Sequence, residues 1–156
     1  MLKIRRYQPQ DNATVKALHY AGLKQFGAKA DPFHDNDLDD IENKYINNKG
    51  DFIVGILNKE IVAMGAIRQV SNQRGEIKRI RVRRDCQQGG YGQMILSKLM
   101  EIAAKLGYTE LCLDTVANNT PAQRLFEKNG FRETHHQKVG YYDIVFYERK
   151  INKKGG

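Results

Sequence analysis

The stretch Val82-Arg-Arg-Asp-Cys-Gln87-Gln-Gly-Gly90-Tyr-Gly92-Gln-Met-Ile-Leu constrains this chain more than any other, because a strand pattern there runs through a glycine-rich turn straight into a helix. Glu76 to Arg83 reads as the strand. Downstream, Ile95, Leu99, Ile102 and Leu106 recur at steps of four, three and four, and Gly107 supplies the stop. Successive backbone N–H groups in such a turn point into one concavity, and the helix N-terminus adds its orphan donors and partial positive charge. The junction is therefore suited to a phosphate. It is neither of the two common nucleotide motifs. There is no G-x-x-x-x-G-K-[ST], and Gly90-x-Gly92 has no third glycine at Ile95.

The strand itself is irregular. Ile77 lies on one parity, while Ile80 and Val82 lie on the other, which predicts a β-bulge between them. Around this junction the chain predicts a strand over Leu2 to Tyr7 and a helix opened by Pro9 and Asp11 toward Phe26, with Val15, Leu18 and Leu23 inward. A turn at Asp31-Pro32 precedes a second helix over Asn36 to Asn47. Phe52 to Leu57 and Ile61 to Val70 form a hairpin about Asn58-Lys59-Glu60, and Leu111 to Val116 is a buried strand. A short helix from Pro121 to Asn129 has Thr120 as N-cap, Gln123 as its box partner and Gly130 as its C-terminal glycine. Phe131 to Lys138 and Tyr141 to Lys150 close with a hairpin around Gly140. The order β-α-α-β-β-β-α-β-α-β-β is that of an α/β domain with a mixed sheet. Residues 1–150 read as one domain and 151–156 as a frayed tail.

At 156 residues, 40% hydrophobic and 28% charged, the composition is that of an ordinary globular domain. No apolar run approaches the ~20 residues of a membrane span, and the N-terminus enters an alternating pattern without a signal-peptide core. Cys86 and Cys112 suggest neither a metal site nor a disulfide framework, so a cytoplasmic location with reduced thiols is expected. His135 and His136 lack a further ligand at metal spacing, and no metal is expected. The net charge of +8 could serve an anionic cofactor, nucleic acid or solubility alone; with no RNA-reading motif, a nucleic-acid partner is not expected.

The segment Gln87-Gln88-Gly89-Gly90-Tyr91-Gly92 resembles the [R/Q]-x-x-G-x-[G/A] hallmark of the GNAT superfamily of acyl-CoA N-acyltransferases. Gly75-Glu-Ile-Lys-Arg-Ile-Arg-Val82 is similar to that family's fourth strand. Asn119-x-x-Ala122-x-x-Leu125-Phe126-Glu127-Lys128-x-Gly130-Phe131 resembles its N-x-x-A-x-x-L-Y-E-K-x-G-F segment. The resemblance implies a mixed, mostly antiparallel sheet of about seven strands flanked by about four helices, with a V-shaped splay between the fourth and fifth strands. It implies an N-acetyltransferase that moves the acetyl group of acetyl-CoA to a primary amine by direct attack in a ternary complex. The alternative is a catalytically weak acyl-CoA-binding regulatory module of the same fold.

By this resemblance, pantetheine pairs with backbone at Ile80 and Val82, and N–H groups near Ile80 and Arg81 steady the thioester oxyanion. The diphosphate lies on Gln87, Gln88, Gly89, Gly90, Tyr91, Gly92 and Gln93. Asn119 and Phe126 sit beside the pantetheine, and Lys128 is either a phosphate contact or a solvated lysine. Glu76 is either the general base that takes the amine's proton or a strand carboxylate facing Lys78 or Arg79. Phe126 stands where the family usually has a tyrosine acid. Either the acid is dispensable or Tyr91, Tyr141 or Tyr142 substitutes. The acidic stretch Asp31 to Glu42 either draws a cationic amine and rejects anionic acceptors or complements a helix dipole. The expected partners are a small-molecule or peptide amine, with a homodimer open to the fold and no membrane.

Overall fold

The computed structural model describes residues 1–29, 31 and 34–152. Seven strands form one sheet in the order β1-β2-β3-β4-β5-β7-β6. They are β1 (Lys3–Arg6), β2 (Asp51–Leu57), β3 (Glu60–Gln69), β4 (Arg74–Val82), β5 (Glu110–Val116), β6 (Arg132–Val139) and β7 (Tyr142–Lys150). Every neighbouring pair is antiparallel except β4 with β5. The α-helices are α1 (Asn12–Gln25), α2 (Tyr91–Leu106) and α3 (Thr120–Lys128), with a π-helical turn at Glu42–Ile46 between α1 and β2. The expected element order and the mixed sheet are present.

Two apolar clusters sandwich the sheet. Ile95, Leu96, Leu99 and Ala103 of α2 pack with Ile53, Ile67, Ile77, Leu111, Leu113, Phe126 and Tyr147 on one face. On the other, Val15 and Leu18 of α1 join Leu38, Ile41, Tyr45, Phe52, Val54 and Met64. With both faces covered, β2 is buried through its first five residues. The expected stripes shift slightly: Leu23 is half-buried and faces a cleft, and Ile102 and Leu106 sit at the margin of α2's buried face.

The β2–β3 connection is a two-residue turn in which Asn58 and Lys59 have φ of 51° and 68°, so Glu60 already belongs to β3. Positive φ at both central residues matches the right-handed strand twist.

The helix expected over Asn36 to Asn47 is broken. A 3-10 turn covers Asn36–Asp39, Asp40 leaves helical geometry at φ −150°, and the π-helical turn follows. Leu38, Ile41 and Tyr45 are all buried, while Asp37 bonds both the Tyr45 hydroxyl and Arg79. Tertiary anchoring of these side chains overrides a regular helix. The expected Asp31-Pro32 turn falls partly outside the described residues. Of the expected tail, Ile151 donates its N–H to Thr109 O at 2.8 Å and packs on the core; residues 153–156 lie outside the described set.

Candidate functional site

The parity switch in β4 is a bulge. Met64 pairs with Arg81 and Ala66 with Lys78, so Gly65 alone opposes Arg79 and Ile80, and Arg79 takes φ 62°. Gly65 is required there because a Cβ would lie 2.6 Å from Ile95 Cγ2 and 2.8 Å from Leu99 Cδ1, where α2 lies against the sheet. Past the start of β4 the parallel pairing fails. It joins Arg74 to Glu110, Gly75 to Leu111 and Glu76 to Cys112, and then stops. Strand β5 instead stays with β7 as far as Val116 opposite Ile144. The strands thus part in a V, opening a cleft of about 210 Å³ walled by Glu76 to Arg81, Asp114 to Val116, α3 and the C-terminal part of α1.

The open edge of β4 is a donor and acceptor rail. Arg83 N–H donates to Val62 O at 2.7 Å, so ladder alternation also turns Arg81 toward β3 and turns Ile80 and Val82 toward the cleft. Arg81's own N–H is therefore used within the sheet, which leaves the N–H groups of Ile80 and Val82 on the open side. The Val82 carbonyl accepts from Gln87 Nε2 at 2.9 Å, and Gln87 also exchanges amide hydrogen bonds with Gln25 at 2.9 and 3.0 Å.

A 3-10 turn at Arg84–Cys86 leads from β4 into the glycine loop. Gln88 and Gly90 have φ of 65° and 87°, and Gly90 is the N-cap of α2 with no side-chain cap. The first-turn N–H groups of α2 consequently lack an intramolecular acceptor by helix geometry. A Cβ on Gly90 would have no protein atom within 4 Å, and those on Gly89 and Gly92 would meet only ordinary contacts. Positive φ explains the glycine at position 90; the protein itself leaves space above 89 and 92, fit for a ligand. Gln93 and Asn129 exchange amide hydrogen bonds at 2.8 Å, fastening this end of α2 to the end of α3. Tyr91 packs against the α2 core, and Lys128 is exposed, outside the cleft lining.

In the cleft, Glu76 Oε1 accepts from Arg68 Nε of β3 at 2.5 Å. Its ion-pair partner is Arg68, neither Lys78 nor Arg79. Arg79 is clamped by Asp37 at 2.6 and 3.0 Å and lies 3.6 Å from Asp35. Burial opposes Arg79's charge, but the bonds to Asp37 outweigh it and hold the guanidinium above its ordinary range. Burial, then Arg79, pushes Lys78 down. On the facing wall Asp114 stands at the solvent-open mouth. The enclosing walls and then the charge of Glu76 push its carboxyl above the usual range. Behind β4, fully buried His19 donates through Nε2 to Asp35 at 2.9 Å. Burial, then Arg79 and Arg81, lowers His19 to about 4, so it is neutral at pH 7.

Phe126 is buried, packed 5.6 Å from the Tyr147 ring and 6.3 Å from Phe131, with one side on the cleft. No tyrosine lines the cleft among the described residues. Tyr141 is fully exposed, and Tyr142 Oη accepts from the Lys29 N–H at 3.1 Å. The α3 cap differs from expectation. Asn119, not Thr120, is the N-cap, accepting from Ala122 N at 3.2 Å, and Gln123 donates to Ala117 O instead of closing a box. Asn119 still borders the cleft. The acidic stretch is largely consumed: Asp35 and Asp37 serve His19, Arg79 and Tyr45, and Asp39 pairs with Lys16 at 2.5 Å. None of its described residues lines the cleft. Both cysteines are free thiols outside the cleft lining, no described group of His, Cys, Asp and Glu could hold a metal, and no described helix could cross a membrane.

Two residues escaped the sequence reading. Asp114 is a charge inside the apolar run Leu111 to Val116, and that break in pattern was the available signal. Arg81, expected to act through its backbone, also lines the cleft.

The acetyltransferase (GNAT) family model matches residues 17–131. YsnE of Bacillus subtilis, an uncharacterized N-acetyltransferase, is 33% identical over 75 residues, 47% of this chain and 50% of its own length. The match therefore spans about half of that relative. Among solved structures, a GNAT-family acetyltransferase from Staphylococcus aureus Mu50 superposes with a TM-score of 0.88 at 23% identity, covering 96% of this chain and 99% of the other. The yncA protein of Salmonella typhimurium, solved with its cofactor acetyl-CoA, gives 0.80 at 18% identity over 99% and 96%. At these identities the structures speak to the fold.

Proposed function

The chain belongs to the GNAT acetyltransferase family, and from that premise we propose that it moves the acetyl group of acetyl-CoA to a primary amine by direct attack within the cleft between β4 and β5. The observation that carries the proposal is the V itself. It opens beside a helix N-terminus free of side-chain caps and carries one carboxylate on each wall, Glu76 and Asp114.

The residues present suit the cosubstrate. Gln88 through Gln93 offer N–H groups to a diphosphate, with Gln87 bracing the loop against β4 and α1. Lys128, exposed at the end of α3, is free to approach an outer phosphate. Backbone at Ile80 and the N–H of Val82 would pair with the pantetheine amides, and Asn119 and Phe126, which line the cleft, would lie beside its thiol end. When bound, acetyl-CoA supplies an activated thioester with a good leaving group. The Ile80 N–H is the donor for negative charge developing on the carbonyl oxygen, in a cleft partly screened from water.

An alkylammonium must lose a proton before its nitrogen can attack. Glu76 takes that proton in our reading, directly or through water, with Arg68 orienting the carboxylate. Asp114 is the alternative base, favoured by its raised pKa, which brings a carboxylate nearer the operating pH. Without a phenol in the described lining, thiolate departs without that acid. The same feature favours the alternative of an acyl-CoA-binding module that does not turn over.

Glu76→Gln and Asp114→Asn, assayed by free-thiol release with amine acceptors, test the assignment. Loss of the base should lower turnover by ~100-fold or more at neutral pH, with the deficit shrinking where the amine is already free. An equal deficit at every pH, with weakened cofactor binding, would reduce Glu76 to a strand organiser. Cofactor binding without turnover of any amine would favour the module.

A further inference from the structure

Arg81 lines the cleft without an ion-pair partner within 4 Å among the described residues, and Asp35 acts on its charge only from farther away. The Arg81 Nε is buried without a hydrogen-bond partner. Its Nη2 lies 3.5 Å from His19 Nδ1, at the limit of a hydrogen bond, and that imidazole is neutral. The nearby carboxylates are engaged elsewhere: Asp35 accepts from His19 and from the Asp31 N–H, and Asp37 holds Arg79 and Tyr45. Glu76 is committed to Arg68. Burial and then Arg79 lower Arg81 to about 10, so it is still a cation at neutral pH.

The fold makes room for this guanidinium at a cost. Gly22 lies inside α1, where glycine is unfavourable, and a Cβ there would come within 2.7 Å of Arg81 Cδ, 2.9 Å of Nε and 3.0 Å of Cζ. The arginine therefore rests directly on the helix backbone, and both residues border the cleft. A guanidinium with no ion-pair partner among the described residues is matched by a carboxylate, which can accept from its terminal nitrogens.

We propose that the acceptor is an amine that also bears a carboxylate, an amino acid or a compound of that kind, and that the Arg81 guanidinium binds this carboxylate. The inference rests on the acetyltransferase reading of the same cleft. The anion belongs to the acceptor because the cofactor's phosphates have their own donors on the glycine loop, beyond Val82. The amine end then falls toward Glu76 and Asp114, at the other end of the cleft lining along β4. This replaces the cationic acceptor suggested by the acidic stretch, whose described carboxylates do not line the cleft.

The test measures kcat/KM by free-thiol release for α-amino acids and for ω-amino acids of increasing length, each paired with its own primary amide. A built carboxylate site should prefer the best acid over its amide by ~10-fold or more. In Arg81→Met the ratio should fall to near one; Arg81→Lys should keep part of it, and Gly22→Ala, which displaces the guanidinium but keeps its charge, should lower it. A merely structural arginine would change acid and amide alike and leave the ratio intact, which overturns the proposal. So would an Arg81→Met protein whose only defect is weaker acetyl-CoA binding, because the guanidinium would then serve a phosphate. A second readout is calorimetric binding of N-acetyl amino acids in the presence of coenzyme A. Arg81-dependent binding without turnover of any acceptor sustains the carboxylate site and removes the acetyl-transfer reading. Turnover of amides as fast as acids keeps that reading and removes the site.

Discussion

Acidification should loosen the wall behind β4 through a single imidazole. His19 is fully buried and held near a pKa of about 4, against an ordinary value of 6.5. Its folded-state pKa is depressed, so its contribution is fully present above pH 6.5 and is lost as pH falls toward 4, because the unfolded chain takes the proton first. The gap between 6.5 and about 4 amounts to roughly 3 kcal/mol when fully titrated. About 2 kcal/mol of that falls between pH 7 and pH 5. For a chain of this size the loss corresponds to about 4–8 °C in Tm. Burial is the first cause and the charges of Arg79 and Arg81 the next: in neutral His19, Nε2 donates to Asp35 and Nδ1 turns a lone pair toward Arg81, whereas a second proton would be both desolvated and opposed by the two arginines. Scanning calorimetry of the natural chain and of His19→Gln at pH 7 and pH 5 isolates this share, since other titrating groups are common to both. The variant should show a Tm drop smaller by about 4–8 °C. Identical drops in the two proteins would refute the buried, neutral imidazole.

Three further outcomes follow from the loop and from α3. Acetyl-CoA at ~100 times its dissociation constant should stabilise the fold by about 2.7 kcal/mol, read as a thermal shift. Gly90→Asp should abolish that shift, because φ of 87° strains a side chain and the carboxylate would meet the diphosphate; an unchanged shift would move the cofactor off this loop. Phe126→Tyr should change turnover by less than tenfold, below ~1.4 kcal/mol of barrier, and a larger gain would mean that the natural chain lacks an acid it needs.

Much of this architecture is legible in local pattern. The misplaced parity of Ile77 against Ile80 and Val82 announces the bulge, and Gly90, Gly107, Gly130 and Gly140 each take the positive φ of a cap or turn. What local pattern misses is tertiary. The break of the helix over 36–47 depends on Asp37 reaching Arg79 and Tyr45, far away in sequence or outside the helical period. Asn119 rather than Thr120 caps α3, a choice made by backbone conformation at φ −88°, ψ 75°. In the cleft, residue type points to Glu76 but not to its pairing with Arg68 on β3, nor to the buried, unpartnered Nε of Arg81, which arises only once α1 offers a glycine and Asp35 and Asp37 bond elsewhere. Charge clusters in sequence show which groups are present, while folding decides which remain available.

Direct transfer from acetyl-CoA to an amine in the β4–β5 cleft is tested most directly by single-turnover mixing, following free thiol and N-acetyl product together. With acetyl-CoA alone the account predicts no thiol burst, and on adding an amino acid it predicts thiol and N-acetylated product in equal amounts. A burst of thiol matching the enzyme concentration before any amine is added, with acetyl retained on the protein, would contradict it.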